Sequence, residues 1–223
     1  MPTIHNYNPD PVVLDRIAGA LTCISQVIAV GTMIEIRLAA ILAAIAGSDV
    51  VSTITLLDRL RTVQSKEDAV MAVAKEKLGN EDYAVLAAAS LAVKGHRARR
   101  NSFCHDVWAS AADFPDAAFS IPAKQLAMSN AQFSATDPQS FAAAVAMLEV
   151  DVPDGNVYRA ADFEKVAAEA SEAASVMHLA HYYADWCRRA TRGGPAVAPA
   201  KAELLDALNA HPSFRGPYER KRR

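Results

Sequence analysis

The chain has 223 residues, of which 52% are hydrophobic and 22% charged, with a formal net charge of -2. That length holds one large domain or two small ones. The apolar fraction excludes an intrinsically disordered chain, and the near-neutral charge excludes a globally basic nucleic-acid binder, so contact with a polyanion has to come from local patches. Three widely spaced cysteines, Cys23, Cys104 and Cys187, form no CxxC pair; the pattern fits a reducing cytoplasm and carries no zinc signature.

The opening residues, MPTIHNYNPDPVV, lack the basic start of a secretory signal. Asp10-Pro11 reads as a helix start, a capping side chain followed by proline at the first helical position. From there to Ala46 the pattern predicts one long helix, with Gly31 as its weak point and Gly47-Ser48 as its end. Ile17 to Ile34 is a run of 18 residues without charge, a length at the lower limit for a membrane span. Thr22, Ser25, Gln26 and Thr32 interrupt it, and Glu35 and Arg37 follow. A buried bundle helix is the expected reading, with no membrane involved. Each charge inside such a helix has to face solvent, a partner or a polar site.

Val51 to Leu60 begins with β-branched residues, but Ile54, Leu57 and Leu60 recur at helical spacing, so a helix is expected. Ser65 with Asp68 reads as the capping start of the next helix, with Val70, Val73, Ala74 and Leu78 on its apolar face and Gly79 at its end. Asn80 is the expected cap of a further helix, with Glu81 and Asp82 in its first turn. This helix is expected to pass Gly95 and run to about Trp108 or Ser110. Phe114-Pro115-Asp116 reads as a turn and Ala117 to Ile121 as a short strand. Asp137-Pro138 starts a helix through Phe141, Val145 and Leu148, and Pro153-Asp154-Gly155 is a turn suited to a small β-hairpin. Asp162 caps a helix running to about Thr191, stopped by Gly193-Gly194-Pro195. Lys201 to Leu208 is a short amphipathic segment, and the tail RGPYERKRR is expected to be mobile. The sum is an all-α helical bundle: one domain over 1–192 with a mixed insertion at about 111–158, then a C-terminal segment over 193–223.

The densest chemistry lies in Arg97 to Trp108, RARRNSFCHDVW. On a helix, Arg97, Arg100, Asn101, Cys104, His105 and Trp108 fall within an arc of roughly 140°. A fixed cation, an amide and a titratable base then share one face. Histidine can take a proton from a ribose 2′-hydroxyl or give one to a leaving oxygen, and arginine can hold the phosphate as charge builds on it. The set suits phosphodiester chemistry. The plainer reading makes Lys94, Arg97, Arg99 and Arg100 a solvated basic helix end and Trp108 a core anchor.

Arg100-Asn101-Ser102-Phe103-Cys104-His105, followed by Trp108, resembles the motif of the HEPN family. That motif is an arginine, often followed by a polar residue such as asparagine, and then a histidine, late in a helix of an α-helical bundle. The long first helix and the helix opening at Tyr158-Arg159-Ala160-Ala161-Asp162 fit such a bundle, so the resemblance spans residues 11–110 and 158–190. It implies a HEPN-like fold and, as in many members, a metal-independent endoribonuclease of a toxin–antitoxin, phage-defence or RNA-processing system. It also implies a homodimer with two motifs in one cleft, no cofactor, RNA as substrate, and a cognate antitoxin or other protein as a further partner. Carried over, Arg100 stabilises the scissile phosphate, His105 is the acid and base, and Asn101 positions. Lys94, Arg97 and Arg99 are then RNA-binding candidates, with Glu35 and Trp108 as support. Other HEPN proteins only bind, so the alternative is a non-catalytic helical bundle recognising RNA or a protein.

Outside this stretch, His178 and His181 are three residues apart on one helix but lack a third metal ligand in the sequence. The tail cations Arg215, Arg220, Lys221, Arg222 and Arg223 read as a solvated terminus. Cys104 reads as a small buried hydrophobe.

Overall fold

A computed structural model describes residues 3–4, 7–10, 12–124, 150–151, 156–192 and 200–222. Its first elements are strands β1 (Thr3–Ile4) and β2 (Tyr7–Pro9), then helices α1 (Val13–Arg16), α2 (Ala20–Ala46), α3 (Val50–Leu57), α4 (Val63–Lys77), α5 (Asn80–Ala92) and α6 (Lys94–His105). Strands β3 (Val107–Ala111), β4 (Phe114–Ile121), β5 (Val150–Asp151) and β6 (Val157–Tyr158) follow, and helices α7 (Ala160–Thr191), α8 (Lys201–Asn209) and α9 (Pro212–Arg222) close the chain. The chain divides into two compact units, Met1–Ile28 with Ala98–Ala168, and Ala29–Arg97 with Glu169–Arg223. The expected helix from Asp137-Pro138, the turn at Pro153-Asp154-Gly155 and the stop at Gly193-Gly194-Pro195 lie outside the described residues.

The fold is mostly helical, but not all-α. The first unit is built on an antiparallel sheet in the order β2-β3-β4-β6, and β1 pairs separately with β5. The helix expected to reach Trp108 or Ser110 ends at His105, and Val107–Ala111 enters the sheet instead. Ala109 and Ala111 are buried on one face of β3, while Trp108 and Ser110 alternate onto the other. Pairing with β4 decides this, at Trp108↔Ser120 and Ala109↔Phe119, and it overrides the helical preference of the alanines. Phe114-Pro115-Asp116 is strand rather than turn; the turn is at Ala112–Asp113. The two short strands expected to form one hairpin take different partners, β5 with β1 and β6 with β4.

Both faces of this sheet are packed. Ala109, Ala111, Ala117, Phe119 and Ile121 form one buried cluster, flanked by Phe114 and Val157. On the other face Phe103, Trp108, Tyr158 and Phe163 make an aromatic group with ring centroids 5.3–6.3 Å apart. At the N-terminal side, Asp10 donates its amide to the Trp108 carbonyl at 3.1 Å, and its carboxylate accepts from the Val12 amide and from Arg16. The long first helix is interrupted after α1, at Gly19, whose φ of 77° suits glycine. Gly31, the expected weak point, lies inside α2 and is buried.

The second unit is helical. Residues 84–90 of α5 are all buried, so α5 is its central helix. Thr62, one turn earlier than expected, caps α4 by accepting from the Ser65 amide. Gly79 rather than Asn80 precedes α5, and Val93 separates α5 from α6. The tail expected to be mobile is helix α9; Phe214 and Tyr218 are buried, and Glu172 accepts from the Ser213 hydroxyl at 2.6 Å. Asp82 accepts from the Tyr183 hydroxyl at 2.7 Å and from Lys201 at 2.5 Å, and burial with this acid pushes the Tyr183 phenol up. Burial, then Asp82, pushes the Cys187 thiol up to about 12. Among the described residues, α2 is the helix long and apolar enough to cross a membrane, and half of its most apolar window is buried within the chain.

Candidate functional site

The end of α6 is fixed on the side that faces the sheet. Phe103 is buried among the aromatic rings. Next to it the Asp106 carboxylate accepts from the Ser102 hydroxyl and, at 2.6 Å, from Ser120, which is 0% exposed. The two hydroxyls are themselves 3.2 Å apart. This clamp ties the first residue after the helix to β4 and sets the position of His105.

The opposite face of the same helix end is open. Asn101, Cys104 and His105 are exposed, and Arg100 is half-buried beside them. Cys104, expected inside, is therefore a surface thiol, whereas Cys23 and Cys187 are buried. Arg100 donates from Nη1 to the Asn101 Oδ1 at 3.3 Å, and its Nε is buried without an acceptor. The guanidinium thus leans on an amide and has no carboxylate among the described residues. Trp108 is in β3, so it packs edge-on against Phe103 and does not stand on the helix face.

The other candidates have different surroundings. Arg99 is half-buried, and its charge opposes the upward push of burial on the Cys23 thiol and the Tyr158 phenol of the first unit. Lys94, Arg97 and Glu35 belong to the second unit. Lys94 is exposed. Arg97 pairs with the Glu67 carboxylate, the side chains being 14% and 7% exposed, and also donates to the Ser90 carbonyl at 3.4 Å. It is an internal ion pair rather than a free phosphate ligand. Glu35 accepts from Lys66 at 2.8 Å, and that bond is the main reason the Lys66 ammonium is held above its usual range.

Two arrangements were not anticipated from the sequence. One is the Asp106–Ser102–Ser120 clamp, whose members lie on two elements. The other, within the second unit, pairs Arg37 of α2 with His181 of α7 at 3.1 Å. The sequence signals for the second were a charge placed inside an apolar helix and the spacing of His178 and His181, with nothing to join the two. Among the described residues no three histidine, cysteine, aspartate or glutamate side chains group as a metal site, His178 and His181 included. No family model, curated protein or solved structure matches the chain.

Proposed function

We propose that the chain is a HEPN-like, metal-independent endoribonuclease, with Arg100, Asn101 and His105 as its reacting set. The observation that carries the reading is the open face of a clamped helix end, where an arginine without a carboxylate partner among the described residues stands beside an exposed amide, on the same helix end as an exposed histidine. In the reaction the ribose 2′-oxygen attacks the adjacent phosphorus and the bond to the 5′-oxygen breaks. Neutral His105 takes the 2′-hydroxyl proton, and a protonated histidine returns one to the leaving 5′-oxygen. Arg100 faces the charge that builds on the phosphoryl oxygens, and Asn101 holds the guanidinium in place. One copy supplies one such histidine. A homodimer with His105 from each copy at one cleft supplies both base and acid, by the symmetry that makes two-fold pairing the common assembly. A toxin–antitoxin or phage-defence role in the cytoplasm, with a cognate protein partner, follows from the family resemblance and is part of the same proposal.

The test is cleavage of single-stranded RNA with EDTA present. The expected products carry 2′,3′-cyclic phosphate and 5′-hydroxyl ends. His105→Ala, at an exposed position, is expected to keep its thermal melt and to lose cleavage by about 100- to 10,000-fold. Undiminished cleavage in that variant removes the assignment. RNA binding without turnover in the wild-type chain makes it a binding module.

A further inference from the structure

The second unit holds a second arginine–histidine group, unconnected in sequence with the motif of α6. Arg37 lies on α2; His178, His181 and Tyr182 share one face of α7, at spacings of three and four residues. The Arg37 Nη1 is 3.1 Å from the His181 Nδ1. A guanidinium keeps its protons, so Nδ1 is the acceptor and His181 carries its own proton on Nε2. The His181 ring stacks on Tyr182 at 5.8 Å between centroids, and the His178 ring meets the same tyrosine edge-on at 4.6 Å. Tyr182 is 45% exposed, so the group reaches the surface.

The charges around this group set it apart. The Arg37 Nε is buried without an acceptor, so compensation for the cation has to arrive at the terminal nitrogens. The nearby acid of α7, Asp185, is taken by Arg188 at 3.0 Å and Arg189 at 2.7 Å. Glu35, two residues from Arg37 on α2, is taken by Lys66. Among the described residues Arg37 has an imidazole where Arg97, Arg188 and Arg189 have carboxylates. Burial first, and then Arg37, lowers the pKa of both histidines, which therefore present neutral N–H donors at neutral pH.

We propose that Arg37, His178, His181 and Tyr182 form a binding site for a phosphate-type oxyanion. The terminal guanidinium nitrogens supply charge-assisted bonds, and the imidazole N–H groups and the phenol supply neutral ones. The proposal is independent of the reading of α6. The shared chemistry is a tetrahedral phosphate group, whether free or in a nucleic-acid strand.

The imidazole resonances of His178 and His181, followed by NMR in the full chain, test it. Sodium phosphate is titrated at constant ionic strength and pH, and a 2′-O-methyl RNA oligonucleotide is titrated separately. The expected result is saturable movement of both rings with a Kd below about 10 mM for phosphate, weakened about tenfold or more in Arg37→Gln. Saturation by the oligonucleotide at lower concentration identifies a strand as the source; saturation by phosphate alone identifies a free anion. His178→Gln, at a half-exposed position, is expected to weaken binding as well and serves if Arg37→Gln does not fold. Drift without saturation in the wild-type chain overturns the proposal, and so does binding unchanged in the variants.

Discussion

The two arginine–histidine groups differ in how they are made. Arg100 and His105 come from one helix end, five positions apart, and their face is open to solvent. Arg37 and His181 are separated by 144 positions and meet because α2 and α7 pack within the second unit. The first group is therefore rigid only as far as its helix end is rigid, which is the task of the Asp106 clamp. The second is positioned by the core itself. Both leave an arginine Nε buried and unaccepted, and both lean the guanidinium on a neutral group. Arg97, between them in sequence, shows the contrasting outcome: an arginine given a buried carboxylate becomes part of the scaffold. Position in a basic run does not distinguish these roles; the partner does.

The largest expected effect tests that distinction directly. Removing Glu67 leaves Arg97 as a mostly buried cation without its acid, which costs about 3–5 kcal/mol. For a chain of this size, Glu67→Ala should lower Tm by about 10 °C. Arg100→Ala should leave Tm nearly unchanged while abolishing RNA cleavage or binding. Equal destabilisation by the two variants would mean that Arg100 is scaffold too, and the separation of the two arginines would be lost.

The legible part of the molecule was what local pattern decides. Helices α3, α7 and α8 lie close to their expected bounds because helical spacing and end signals agree there. The Arg100–His105 helix face was legible for the same reason, since every member is within two turns. The misread parts depend on distant partners. Val107–Ala111 is strand because β4 is available to pair with it. The tail is helix α9 because Phe214 and Tyr218 find a buried surface. Arg97 could not be told from Arg100 without Glu67, which lies 30 positions away. Gly19, not Gly31, interrupts the first helix, because burial holds Gly31 inside α2 while a left-handed turn is needed before it.

A middle-sized effect probes how the open group of α6 is held. Asp106→Ala removes the acceptor of two hydroxyls, one of them on the fully buried Ser120. The expected cost is about 1–3 kcal/mol, read as a lowered denaturation midpoint. As a positioning residue for His105, Asp106 should also affect cleavage, lowering kcat with little change in KM, and Asp106→Asn should restore part of both. A variant with the stability loss but full kcat would show that the helix end keeps its geometry without the clamp.

The smallest effect concerns protons and separates the packed histidines from ordinary surface ones. His178 and His181 are held below the usual imidazole range by burial first and then by Arg37; for His181, Asp185 opposes this and His178 adds to it. Tyr182 packs on both rings. Their folded pKa values lie below the unfolded value of about 6.5, so below that pH the unfolded chain binds more protons. Their contribution is complete above the unfolded pKa and is lost as pH falls towards the folded values, because a proton on the His181 Nδ1 would face the Arg37 guanidinium. Glu172, held low chiefly by the Ser213 hydroxyl, loses its contribution only in the carboxylate range further down. Between about pH 7.5 and pH 5.5 the wild-type Tm should therefore decline more than that of the double variant His178→Gln, His181→Gln. Glutamine can still accept from Arg37 but does not titrate, so the variant keeps the contact and removes the linkage. Parallel declines would show that the pair is as well solvated in the folded chain as in the unfolded one, and that the packing which distinguishes it from the open face of α6 has no energetic consequence.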